Sequence, residues 1–424
     1  MNIPVAIMIV LCLIIAGLSL YREKNIFNPL TLFLGFWSFI LILSLINQNT
    51  HAVKVTTYLY MTIGFLSFAL GFYILKLLLS KKRTNEIRSY KFNYKVLYLL
   101  YAITFAILVY LLVNVIILLS QGQSLYSIRK SLFSDKTNVI MSVIQFYVID
   151  TMAYILVICG VSNLYFGKNK KQIIIFTVIF ILMVAFQNGG RLIIYRFAVD
   201  LVIGFLVYIN VGKRSFSLDK KSISIVLASS ILIIGVSVLI TIMRKSSVRL
   251  IYDYFTGCIN LLDYRLTVID QQNQYTHGFS FFGGIIRPIF TLLNKAHIVP
   301  YPDLYLESAG ILRDNVQQGV YFISPGIKYN AFVTPFLYFY LDLRIYGIIF
   351  GSMIYGGICY IVYRNILVNP NIKSISIFLL ITQELFTSMI RWQFNVPSYA
   401  WGVIILLIGC GIFIEEKRSS DIQT

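Results

Sequence analysis

Arginines set into an otherwise apolar chain are the residues here that could do chemistry. The pentad Gln187-Asn188-Gly189-Gly190-Arg191 is the only polar break between the apolar runs 173–186 and 192–211. Arg196 follows inside the second run, and Asp200 stands one helical turn later. Further along come Arg244, Arg249, Arg265, Arg287, Arg313 and Arg391. A guanidinium stays charged and grips phosphate or carboxylate oxygens bidentately. An ionisable side chain in a membrane span is costly and faces a polar cavity or a bundle interior. Arginines gathered at one membrane surface therefore suit a lipid-linked diphosphate. Gly189 and Gly190, just ahead of a helix start, would let backbone N–H groups approach the same anion. The competing reading is that such arginines snorkel to lipid headgroups. The Gly-Gly-Arg spacing favours the anion site at Arg191.

Other polar residues supply possible companions. Arg196 and Asp200, at i and i+4, are expected to pair. Asp150 and Glu384 each stand in apolar runs and are expected to neutralise arginines of neighbouring helices, with a proton relay as the alternative. A base that activates a hydroxyl must come within hydrogen-bond reach of the attacking oxygen. His277 is the candidate, beside the carboxylates Asp253, Asp263, Asp270, Asp303, Glu307 and Asp314; an ordinary interfacial histidine is the other reading. Aromatic residues crowd the same stretch, Tyr254 and Tyr340 among them. They serve either as interfacial anchors or as platforms for sugar faces.

The elements that must position these residues are membrane helices. Of the 424 residues, 58% are hydrophobic and 12% charged, where a soluble domain carries roughly 25% charge. The apolar runs 3–20, 29–46, 57–79, 96–119, 139–166, 173–187, 192–211, 223–243, 344–363, 374–390 and 398–414 predict about eleven transmembrane helices, most of them long enough for a hydrocarbon core of about 30 Å. The fold class is an all-α polytopic membrane protein, read as a single membrane-embedded body over 1–424 with no metal-ligand spacing and no cofactor motif. The first run has no basic stretch before it, and Arg22 and Lys24 follow it. It is expected to remain as a helix rather than be cleaved as a signal peptide.

Lys and Arg alternate in abundance between successive loops. Arg22, Lys24, Lys81, Lys82, Arg83, Arg88, Lys91, Lys95, Lys168, Lys170, Lys171, Lys213, Arg214, Lys220, Lys221, Arg364, Lys373, Lys417 and Arg418 fall on one side. The short loops of the other side hold only Lys54, Arg129, Lys130, Lys136, Arg191 and Arg391. The positive-inside rule then puts the N-terminus outside and the C-terminus in the cytoplasm. The net charge of +19 is thus topological, and nucleic acid is excluded as a partner. Five scattered cysteines form no disulfide framework. One outer loop, 244–343, is too long to be a plain connection. Within it Phe279–Leu293 and Ala331–Leu341 are apolar but short, and are expected to lie in the interface or dip into the outer leaflet.

Three regions resemble the Wzy-type O-antigen and capsule repeat-unit polymerases of bacteria. Asn188-Gly189-Gly190-Arg191 leads into an apolar helix. Met243-Arg244 is followed by Tyr254-Phe255-Thr256-Gly257, Asp263 and Gly278-Phe279-Ser280-Phe281-Phe282-Gly283-Gly284. Asn330-Ala331-Phe332-Val333-Thr334-Pro335 precedes Tyr340-Leu341-Asp342 and Gly347. The family's Asp-Phe-Gly with a later glycine becomes Asp342-Leu343-Arg344 with Gly347, so the first glycine is lost. The resemblance covers roughly residues 185–365.

The resemblance implies a bacterial cytoplasmic (inner) membrane enzyme acting at the outer face, which moves a polymer from undecaprenyl diphosphate onto an incoming lipid-linked repeat unit. It makes Arg191 and Arg244 the groups that hold the leaving diphosphate, stabilising its charge without a metal. The remaining outer residues, Gly189, Gly190, Arg196, Arg249, Arg265, Arg287, Arg313, Arg391, Tyr254, Tyr340 and Asp342, are expected around the substrate. The implied partners are the undecaprenyl-diphosphate-linked oligosaccharide, membrane lipids and a separate chain-length co-polymerase. A flippase of the same lipid is the first rival, although transporters carry repeat symmetry that this chain lacks. An O-antigen ligase is the second. A polyprenyl-phosphate glycosyltransferase, which wants acids in its first outer loop, finds none in 47–57.

Overall fold

The computed structural model describes residues 3–46, 51–79, 89–123, 128, 143–168, 170–211, 249–317, 321–324, 327–329 and 332–416. Arg244 and the expected span 223–243 lie outside them. In chain order the helices are α1 (Ile3–Glu23), α2 (Pro29–Ile46), α3 (Val55–Leu79), α4 (Tyr94–Ser120), α5 (Asp150–Phe166), α6 (Lys170–Asn188) and α7 (Leu192–Asn210). A π-helical turn, Ile144–Ile149, runs into α5. Then come α8 (Arg249–Gln271), α9 (Phe279–Lys295), α10 (Asp303–Leu312), α11 (Pro335–Val368), α12 (Ile372–Thr387) and α13 (Pro397–Ile408).

The chain is an all-α polytopic membrane protein. Among the described residues eight helical segments are long and apolar enough to cross a membrane: α1 to α4, Ile144–Phe166, Lys171–Asn188, α7 and α11. The expected spans 374–390 and 398–414 correspond to α12 and α13, which are 16 and 12 residues long. The outward faces of α1 and α4 carry exposed Ile7, Leu13, Ile14, Ile103, Val113 and Ile116, as helices bathed in lipid do.

Lipid is as apolar as leucine, so membrane helices associate through close packing at small residues. The contact of α3 with α11 shows this. A Cβ on Gly71 would lie 2.0 Å from the Met353 carbonyl oxygen, and one on Gly356 would lie 2.0 Å from that of Phe68. Any larger residue at either position would push the two backbones apart.

The chain divides into two compact units. The first comprises Met1–Arg83, Val248–Tyr363 and Glu384–Ala400, and the second Thr84–Ser247, Arg364–Gln383 and Trp401–Thr424. No change of composition marks these junctions, which is why the sequence reads as one body.

Within each unit, loops that the charge alternation assigns to one side meet at one end. In the first unit Asn25 donates to the Tyr363 hydroxyl at 3.0 Å, and Lys76 pairs with Glu23. At its other end the Lys54 N–H donates to Asp263 at 3.0 Å, Asn260 donates to the His51 carbonyl at 2.6 Å, and the Val333 N–H donates to Ile390 at 2.9 Å. In the second unit β1 (Ser89–Phe92) pairs antiparallel with β2 (Phe413–Glu416), Ser89 opposite Glu416. The same end brings the Lys168 N–H to the Tyr94 hydroxyl at 2.9 Å. Its opposite end joins Gln187 to Gln145 at 2.9 Å.

Two short apolar pieces of the large loop have different fates. Helix α9 exposes Phe282, Ile289 and Leu292 while burying Gly283, Gly284 and Pro288, the two-faced pattern of an interfacial helix. The second piece is not interfacial. Leu337, Tyr338, Phe339 and Leu341 are each at most 1% exposed, so the first turns of α11 lie inside the protein. There α11 breaks: Leu343 and Arg344 have non-helical backbones, Arg344 at φ 53° and ψ −135°. The chain doubles back so tightly that a Cβ on Gly347 would meet the Phe339 carbonyl oxygen at 1.9 Å. Broken backbone at membrane depth is tolerated where protein surrounds it.

Candidate functional site

In the second unit the polar break between α6 and α7 is a helix stop. Gly189 takes φ +51°, its N–H donates to Phe186 at 3.2 Å, and the Gly190 N–H donates to Ala185 at 3.1 Å. These two bonds are the paired closures that end a helix on a left-handed residue. The expectation that Gly189 and Gly190 offer their N–H groups to an anion is therefore corrected. Both groups face carbonyls of the helix they terminate, and glycine is needed for the positive φ. Arg191 then opens α7 as its N-cap, with no side-chain cap, and Tyr195 donates back to its carbonyl at 3.0 Å.

Below this break, polar side chains from α5, α6, α7 and α12 meet inside the unit. Gln187 donates to Gln145 at 2.9 Å, and Gln145 donates to Asp150 at 2.9 Å. One turn further along α5, the Arg196 guanidinium lies 4.3 Å from the ring centre of Tyr154. Asp200 is fully buried and accepts the Gln383 amide at 2.6 Å, with the Arg196 charge in electrostatic reach. The expected Arg196–Asp200 partnership is thus electrostatic, and Gln383 supplies a hydrogen bond to the carboxylate. Asp150 is held by an amide as well.

The first unit holds the remaining described candidates. Asp342, 5% exposed, is surrounded by the start of α9. Its Oδ1 accepts the Thr276 hydroxyl at 2.6 Å and the N–H groups of Gly278 and Ser280 at 2.9 and 3.0 Å. Its Oδ2 accepts the Phe281 N–H at 2.8 Å. A carboxylate has about four acceptor sites, and here four donors fill them. Asp342 is accordingly the N-terminal cap of α9, set against the positive end of that helix. The expectation that it binds substrate is corrected on this ground. Tyr340 is similarly engaged: it is 4% exposed and donates to Asp270 at 2.7 Å.

His277 sits on the turn that Asp342 organises. It is exposed, has φ +49° and stacks on Tyr275 at 6.0 Å between ring centres. Arg344 covers the same tyrosine at 4.2 Å and pairs with Asp270 at 3.5 Å.

Helix α9 also positions Arg287, which bonds to Asn395. Asn395 in turn donates to the Ser280 carbonyl at 2.6 Å, and Trp392 donates to that of Phe281 at 2.9 Å. Gly284 permits this docking, since a Cβ there would lie 2.4 Å from the Phe394 carbonyl oxygen. Residues 391–396 are thereby fastened to α9. The outcome is that Arg287 and Arg391, more than a hundred positions apart in the sequence, stand on two segments fastened to each other. Glu384 pairs with no arginine among the described residues. It is fully buried, accepts the Gln393 N–H at 3.1 Å and takes a hydrogen bond from Tyr399.

Arg265 and Arg313 stand elsewhere in this unit. Arg265 is 8% exposed, and burial pulls its pKa below the ordinary guanidinium value while Tyr264 and Asp314 oppose the shift. Arg313 makes a solvent-exposed pair with Asp314 at 3.3 Å. Arg249 and Tyr254 lie on α8, with their side chains outside the described part. The structure therefore places Arg287 and Arg391 on two joined segments of one unit, and gathers Arg196 into the polar network below Arg191 in the other. Sequence reasoning missed Asn395, Gln145 and Gln383. The three amides carried a readable signal, because an amide within or beside an apolar run needs a partner. Compared with family models, curated proteins and solved structures, the chain matches none.

Proposed function

We propose that this chain is a membrane glycosyltransferase that joins oligosaccharide repeat units carried on a lipid diphosphate, at the outer face of the bacterial cytoplasmic membrane. This is the activity implied by the resemblance to Wzy-type polymerases, with the N-terminus outside and the C-terminus in the cytoplasm. The observation that carries it is that Arg287 and Arg391 stand on two fastened segments of one unit, helix α9 and residues 391–396, joined through Asn395 and Trp392. Two guanidinium groups on adjoining segments suit a multiply charged anion, which offers acceptors to the donors of both. The Arg344 backbone supports the resemblance. The family pattern has glycine there, and φ 53° with ψ −135° is a conformation natural to glycine.

In the transfer an acceptor hydroxyl oxygen bonds to the anomeric carbon of the donor sugar as the bond from that carbon to the diphosphate oxygen breaks. The electron pair leaves on the diphosphate, and the hydroxyl proton passes to a base. Arg287 and Arg391 stabilise the leaving charge. His277 receives the proton. The resemblance assigns the carrier diphosphate to Arg191 and Arg244 as well; Arg191 belongs to the second unit, and Arg244 lies outside the described residues.

The polar network around Asp150, Arg196, Asp200 and Gln383 favours a second reading, a flippase for the same lipid, because buried ionisable groups mark transport pathways. Replacing Arg391 by Ala in the native host separates the two. A polymerase defect leaves single repeat units displayed at the surface. Units trapped on the cytoplasmic side favour the flippase, and full-length polymer in the variant overturns the polymerase reading.

A further inference from the structure

Arg265 is an arginine of the large loop with a buried donor that no acceptor among the described residues meets. It is 8% exposed, and its Nε is buried with no hydrogen-bond partner among the described residues. Among the described residues no ion pair reaches it. Asp314, whose charge acts on it, already pairs with Arg313 at 3.3 Å and is 60% exposed. What Arg265 does have is an aromatic neighbour, with its guanidinium 5.5 Å from the centre of the Tyr264 ring. That ring stacks on Tyr321 at 4.4 Å and 21°, and Tyr264 remains 40% exposed.

A guanidinium removed from water needs an acceptor, and an aromatic face compensates it only in part. The Tyr264–Tyr321 pair supplies a flat apolar surface of the kind sugar rings lie on.

We infer that Arg265 and the Tyr264–Tyr321 stack form a subsite for an oxyanion-bearing sugar, the guanidinium gripping the anionic group while the sugar face lies on the rings. The inference rests on the lipid-linked saccharide reading above and deepens it, since it makes one sugar of the repeat unit acidic. A sugar-borne carboxylate and a carrier phosphate share the chemistry that Arg265 recognises. The sugar is favoured because the rings adjoin the charge.

The test uses the full-length protein in detergent and two soluble probes, glucuronate and inorganic pyrophosphate, with glucose as the neutral control. At ten times its dissociation constant a ligand of the folded state raises the unfolding temperature by about 2 °C or more. Glucuronate is expected to give this rise in the native protein, glucose none, and Arg265→Gln to abolish it. A rise with pyrophosphate alone that Arg265→Gln removes overturns the acidic sugar and assigns the subsite to the carrier. Equal shifts in the native and Arg265→Gln proteins, or no shift with either probe, overturn the site altogether. Should Arg265→Gln fail to fold, Arg265→Lys keeps the charge without the fork and is expected to weaken glucuronate binding about tenfold. Protection of Arg265 from phenylglyoxal by glucuronate, read by mass spectrometry on the native protein, gives the same answer with no variant. None of these measurements requires turnover. Their failure leaves the Arg391 experiment standing, and failure of that experiment leaves the binding result intact.

Discussion

Asp342 accepts the backbone N–H of Ser280 at 3.0 Å, and through this bond the broken helix α11 holds the start of the helix that carries Arg287. The arginine's position is thus set from its own helix N-terminus by a carboxylate 62 residues further along the chain. Asn395 fastens the segment bearing Arg391 to the same helix turn. A single anchored helix therefore holds both arginine-bearing segments.

Replacing Asp342 by Ala removes four acceptor interactions from a buried site. Losing a helix cap costs about 1 kcal/mol, and each buried donor left unpaired adds about 1–3 kcal/mol. We expect a destabilisation of about 3 kcal/mol or more, seen as a lowered unfolding temperature. Asp342→Asn, which keeps one acceptor oxygen, should fall between the two. Equal stability of native and Ala proteins would refute the capping role.

Arg344 occupies backbone space that suits glycine. Such strain costs about 1–3 kcal/mol, whereas its stacking on Tyr275 and partly exposed pairing with Asp270 return about 1 kcal/mol. Arg344→Gly is expected to leave stability within about 1 kcal/mol of the native protein. Arg344→Ala, which keeps the strain and loses the contacts, should unfold more readily than Arg344→Gly by about 1 kcal/mol. The reverse order in thermal unfolding would contradict the strained backbone.

Lysine in place of Arg287 or Arg391 keeps the charge and loses the bidentate fork. Polymer formation in membranes is expected to fall by about 100-fold for either Lys variant, as when a transition-state donor is lost. Near-native rates in both would show that charge alone suffices.

Gly189→Ala forces a β-carbon onto φ +51°, at a cost of about 1–2 kcal/mol. Because the N–H groups there close the helix, pyrophosphate affinity is expected to stay unchanged while the unfolding temperature drops. A loss of pyrophosphate binding with unaltered stability would restore the anion role of this glycine.

The long apolar runs made the membrane fold legible, since length and hydropathy are properties of contiguous sequence. Charge alternation likewise grouped the loops that the structure brings to common ends, as Lys54 meeting Asp263 shows. The start of the last long span was read at 344, beside the break at Leu343 and Arg344. By contrast, α12 and α13 are shorter than the apolar runs that encode them. Hydropathy cannot distinguish a helix end from an apolar turn.

Composition and spacing by themselves determined that this chain lies in a membrane and which of its residues are charged within it. Tertiary structure decided which of those charges are already satisfied. Asp342 and Arg391 are both polar residues beside apolar helices, and nothing in their local sequence separates a cap from a ligand-gripping group. The distinction comes from long-range geometry, because hydrogen-bond acceptors are filled by whichever donors the folded backbone brings within about 3 Å, and those donors lie 61 to 66 residues away at Asp342.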